Sequence, residues 1–198
     1  MTRTAFIAAS LAAVYLMLQV FGDIHHPPGV LISREPEQLT YKFKSPSFKV
    51  GEWTLEPLAH FKTEARVLVV KEYDSYPIDE LAPFDFLLGW GLMSDSGIIE
   101  EMDLKISNRY GTWRWWGEAP ASQDEISSHA ANTHLIPANE SIREQLGEIR
   151  VGHLITLWGD LVAVRDSSGR ECFRSSLSRT DGGPGACEVV HVTAIQVQ

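Results

Sequence analysis

Two histidines, a cysteine and an aspartate are the residues of this 198-residue chain whose types suit acid–base and nucleophilic chemistry. His129 and His134 lie in Ser127-Ser128-His129-Ala130-Ala131-Asn132-Thr133-His134, beside an asparagine and three hydroxyls. That stretch lacks strong periodicity, as loops that carry active-site residues commonly do. An imidazole titrates near neutral pH, so either histidine is a candidate general base, against the alternative of structural hydrogen-bonding side chains. Zinc would need a third ligand and favours i, i+4 spacing on a helix, whereas these two are five apart. No metal and no cofactor is therefore expected. Arg179, Asp181 and Cys187 bring a guanidinium, a carboxylate and a thiol within nine residues. A thiol becomes a nucleophile when a base or cation stands beside it, so His129, His134, Arg179, Asp181 and Cys187 form the candidate catalytic set. The three glycines of this segment would permit an anion-binding curl of backbone. No helix follows, as a phosphate loop requires, and the alternative is a loop between strands.

A second cluster suits binding. Arg109, Tyr110, Trp113 and Trp115, with Arg114 and Trp116, interleave aromatic rings with guanidinium groups that can stack on sugars, bases or peptides. On a strand, Trp113 and Trp115 share one face and Arg114 and Trp116 the other. The alternative is a core strand with one Trp at an edge. Seventeen Lys and Arg against 26 Asp and Glu give a net charge of −9, which disfavours nucleic acid and leaves a protein or glycan as the expected partner. Nine acidic residues from Glu72 to Asp103, with no basic residue among them, read as a solvated face. Cys172 and Cys187 are 15 apart, and in an oxidising compartment a disulfide between them would stabilise by about 3 kcal/mol on the chain-entropy model. Two reduced thiols are the alternative.

The elements that must position these residues are mostly strands. TYKFK and FKVGEWTL alternate apolar with polar, and ARVLVVKEY is a β-branched run suited to a central strand. PFDFLLGWGLM reads as a buried strand and turn, and LKISNRYGTWRWW as an aromatic strand or hairpin. One helix is well marked: Asn139 caps it, Glu140 sits in its first turn, and Ile142 and Leu146 share a face. VGHLITLWGDLVAVRD and the run from Cys187 to Val197 complete the strands. The expected fold is mainly β, a β-rich α+β domain over 41–198, built as one antiparallel, partly closed barrel or sandwich with one or two short helices.

Ahead of it, Thr4 to Gly22 is a 19-residue run with no charge, close to the roughly 20 residues that cross a bilayer. Arg3 precedes it, so residues 1–22 read as a signal anchor, or a signal peptide, with the rest of the chain outside the cytoplasm. Residues 23–40 hold three prolines and His25-His26 and read as a linker. The expected setting is the bacterial inner membrane, single-pass through residues 4–22, with the domain in the periplasm.

The strings GWGLMSD (89–95), HAANTHLIPA (129–138) and SSLSRTDGGPGACE (175–188) resemble segments of an uncharacterised family of small bacterial proteins with an N-terminal hydrophobic segment. The resemblance spans roughly residues 65–192 and implies no activity; it places Cys172 where that family carries an aromatic residue. The order of a membrane anchor, a His, then a Cys on a β-rich domain is also similar to that of sortases, cysteine transpeptidases. The chain departs from sortases in having Gly-Ala before Cys187 and no arginine after it. Two functions follow: an envelope-facing binding or assembly module working through Arg109, Tyr110, Trp113 and Trp115, or a hydrolase or transferase using a His with Asp181 or Cys187.

Overall fold

Side chains alternate across a strand, so a period-two apolar pattern needs a second surface to cover its inner face. Here the strands cover one another by pairing in a ring. The computed structural model describes residues 22–181, 183 and 185–198. The expected anchor lies outside them except for Gly22, and among the described residues no helix is long and apolar enough to cross a membrane.

The strands are β1 (Glu37–Thr40), β2 (Phe48–Val50), β3 (Trp53–Glu72), β4 (Phe84–Gly89), β5 (Met102–Ser107), β6 (Tyr110–Trp115), β7 (Ala130–Pro137), β8 (Leu154–Arg165), β9 (Glu171–Arg174) and β10 (Glu188–Val197). The short helices are α1 (Pro77–Leu81), α2 (Ser96–Ile99), α3 (Gln123–Ser128) and α4 (Glu140–Gly147), with a 3₁₀ turn at Gly91–Ser94. Strand β3 is long enough to pair with β8 along its first two-thirds and with β4 along its end. The order β3–β4–β7–β10–β8 then returns to β3, while β1 and β2 flank β3 and β9 flanks β8. The β-rich architecture is as expected; the described residues hold four short helices where one or two were expected, and the antiparallel expectation fails where β10 runs parallel to β7. The sheet is mixed, since α4 and the β8–β9 excursion lie between those two strands and carry the chain back to the same end.

Inside the ring, alternate residues form one core: Phe61, Ala65 and Val67 of β3, Phe84, Phe86 and Leu88 of β4, Leu135 of β7, Leu157 and Leu161 of β8, and Val190 and Val192 of β10. Helix α4 packs Ile142 and Leu146 against this core, and Asn139 caps it as expected, its Oδ1 accepting from the Ile142 N–H at 3.0 Å. Outside the ring lie two further apolar clusters. One joins Leu81, Ile136, Val162 and Val189 with Phe173 against them; the other joins Leu87, Met93 and Ile126 with Trp113 and Trp115 of the β5–β6 hairpin.

Residues 23–36, expected as part of a linker over 23–40, are fastened to the domain, and 37–40 are β1. The Leu31 and Ile32 N–H groups each donate to Ser94 Oγ at 3.0 Å, Ser96 Oγ donates to the His26 carbonyl at 2.8 Å, and His26 Nε2 meets the Gly152 carbonyl at 2.8 Å. Arg66, buried, supports that seam through Ser94 O and Ser96 Oγ.

Candidate active site

Strand register builds the site. Asn132 and His134 are two apart on β7 and so share its outer face. Asp85 of β4 stands opposite His134, and Val189 of β10 stands on its other side. Because Glu188 opposes Thr133 in the parallel pair, Cys187, one residue earlier, comes to Asn132. The result is a polar seam on the outer face of the ring, between the two outer apolar clusters.

Within it, His134 Nδ1 is 2.8 Å from Asp85 Oδ1, with Asp85 wholly buried and His134 5% exposed. Cys187 lies near enough to the imidazole to bear on its acidity, while its thiol donates to the Arg109 carbonyl at 3.9 Å. Burial opposes a charge on His134, but the hydrogen bond to Asp85 and the nearness of Asp85 and Cys187 outweigh it and push the pKa up to about 9. The ring of Phe173 stacks on that of His134 at 4.9 Å between centroids. Asn132 Nδ2 donates to the Arg109 carbonyl at 2.9 Å and lies 3.5 Å from Cys187 Sγ.

Arg109 completes the seam from above. It sits in the two-residue turn of the β5–β6 hairpin, where Asn108 and Arg109 both have positive φ, 51° and 65°. Its guanidinium donates to Asp79 Oδ1 at 2.5 Å, Asp85 Oδ1 at 2.9 Å and the Ala82 carbonyl at 2.9 Å, and lies 4.0 Å above the Tyr73 ring. Asp79 also accepts from the Ser75 and Tyr76 N–H groups. Buried, and with the negative Asp85 beside it, the Tyr73 phenol is pushed up to about 12. Cys187 opens onto a cleft of about 470 Å³ walled by Tyr110, Trp113, Gln123 and Asp181.

Of the five candidate catalytic residues, the structure therefore brings His134 and Cys187 together and places Asp181 at the rim. Asp181 is held by Ser176 Oγ at 2.7 Å. His129 is elsewhere: it caps α3, its Nδ1 meeting the Glu125 carbonyl at 2.7 Å, and its ring packs so closely on Gly91 that a Cβ there would fall 2.2 Å from it. Arg179 lies across β10 from Cys187, paired with the buried Glu188 and bonded to Gln38 Oε1 at 2.6 Å. Both cysteines are free, so the candidate Cys172–Cys187 disulfide is absent; Cys172 faces a different cleft from Cys187.

Among the binding candidates, Arg109 belongs to the seam, Tyr110 is half-exposed beside Cys187, and Trp113 and Trp115 pack inward beneath the hairpin. Asp79 and Asp85 were expected on a solvated face and are buried instead. The sign available in the sequence was the position of Asp85: a lone charge inside the apolar run PFDFLLG. No protein-family model, curated protein or solved structure matches the chain.

Proposed function

We propose that the chain is a cysteine-dependent hydrolase or acyl transferase with Cys187 as nucleophile. The observation that carries this is the buried Asp85–His134 pair on adjacent strands, with Cys187, just ahead of β10, close beside the imidazole and opening onto a cleft. An imidazolium beside a thiol favours the thiolate, and a buried carboxylate behind the imidazole fixes its tautomer and stabilises its charge. The thiolate adds to an acyl carbon, forming an S–C bond. As the bond to the leaving group breaks, His134 gives that group its proton. Water or another acceptor then attacks the thioester, His134 takes the acceptor's proton, and the thiolate leaves. Asn132 Nδ2, already beside the sulfur, is placed to donate to the oxyanion that develops next to it.

The setting proposed with this function is the outer side of the bacterial inner membrane, held by residues 4–22. It rests on that apolar run and on Arg3 before it.

Iodoacetamide alkylation at pH 7, followed by peptide mass, tests this reading. Cys187 is expected to react several-fold faster in the native protein than in His134→Gln, as a thiol beside a cation does. Cys172 serves as the internal reference and keeps its rate. Equal Cys187 rates in the two proteins, with both folded by circular dichroism, would sink the proposal. The same labelling in intact cells with a membrane-impermeant maleimide reads orientation: Cys172 is modified if the domain faces outward and protected until lysis if it does not.

A second reading, an interaction module, keeps one support. Trp116, just after the aromatic strand, is 77% exposed and offers a large ring to a partner.

A further inference from the structure

On the far side of the Arg109 hairpin turn from Cys187 lies a larger cleft, of about 790 Å³, within the range that holds small ligands. Trp53, Tyr73 and Phe173 wall it, and Phe173 is the ring stacked on His134, so cleft and imidazole share a wall. The charges in it are unequal. Arg109 is compensated by Asp79 and Asp85, and Arg170 by Asp166 at 3.1 Å. Lys71 lines the cleft and makes no ion pair among the described residues. The carboxylate of Asp79, also in the wall, is already taken by Arg109 and two backbone N–H groups. A chain with a net charge of −9 thus presents an uncompensated ammonium in an aromatic-walled hollow that shares the Phe173 wall with His134.

Register sets the distance. Lys71 opposes Asp85, which opposes His134, so the lysine stands two strands from the imidazole, roughly 10 Å at the usual strand spacing.

We propose that this cleft holds the non-reacting end of the substrate, and that this end is a carboxylate on an aromatic or aliphatic body, paired with Lys71. The ligand's role as substrate rests on the acyl-transfer reading; its binding does not. An apolar body gains by leaving water for the aromatic walls, and the ammonium selects the anion from neutral compounds of the same shape.

Titration of the full chain with 4-phenylbutyrate and with 4-phenyl-1-butanol, read by Trp53 fluorescence, tests this. Trp53→Phe confirms the origin of the signal. The carboxylate is expected to bind about threefold more tightly than the alcohol, as one added charge pair at an exposed lysine allows. Lys71→Gln, at an exposed position, is expected to erase that preference, and Cys187→Ala to leave it intact. Equal binding of the two compounds, binding of neither, or a preference that survives Lys71→Gln would overturn the proposal. Should the preference hold while Cys187 alkylation proves independent of His134, the acyl-transfer reading falls and the cleft stands as a ligand site alone.

Discussion

Asp85 decides what His134 can do. Burial is the largest influence on this imidazole and acts to keep it neutral; the adjacent carboxylate, followed by the sulfur, reverses the outcome. A group whose folded pKa is raised contributes stability that is full below its unfolded value of about 6.5 and is lost as pH rises through about 9. The same inequality predicts the effect of removing the anion. In Asp85→Asn the carboxylate that does most to offset burial is gone, so the His134 titration should fall from about 9. Imidazole NMR on the two proteins reads both midpoints. A midpoint still near 9 in the variant would show that the sulfur, and not Asp85, holds the proton on His134.

The β5–β6 hairpin is the element that assembles the seam. Its two-residue turn needs positive φ at both central positions, a conformation that suits Asn-Gly and costs a residue such as arginine about 1 kcal/mol or more. The contacts of Arg109 offset that cost: the side chain neutralises two buried carboxylates, and the carbonyl holds Asn132 against Cys187. Trp113 and Trp115 clamp the hairpin to the ring from beneath. Stripping the guanidinium leaves Asp79 and Asp85 buried with a deficit of positive charge, a change that costs about 3–5 kcal/mol. Urea unfolding of Arg109→Ala and Arg109→Gly separates the two contributions. If the ion pairs dominate, both variants lose that amount with m unchanged. If turn strain dominates, the glycine variant matches or exceeds the native protein.

At the scale of the whole molecule, local pattern was legible and long-range adjacency was not. Period-two runs marked the strands, and Asn139 marked α4, because these depend on residues a few positions apart. The parallel β7–β10 pair depends on where α4 and β8 return the chain, and no residue in either strand signals it. Likewise Pro27-Pro28 reads as a linker because Ser94, which fastens Leu31 and Ile32, is more than 60 residues away. His129 and His134 have the same side chain and differ only in what surrounds them, a helix terminus for one and buried strands for the other. The inner face of the ring hid a further charge, Glu188, which the period-two reading of the last strand passed over. It is buried beside Arg179, and burial, only partly offset by that arginine, pushes its pKa up to about 7. A carboxyl raised in this way contributes stability that is full below its unfolded value of about 4.5 and is lost as pH rises through about 7. His153 and His191, both lowered chiefly by burial, act in the opposite sense, losing stability as pH falls below about 6.5. The native pH profile therefore mixes both signs, and the difference between native protein and Glu188→Gln isolates the carboxyl. Chemical denaturation from pH 4 to 8 should show the native protein losing stability relative to the variant, with the change confined between about 4.5 and 7. A flat difference across that range would mean that Glu188 keeps its ordinary acidity, its charge held by Arg179 throughout.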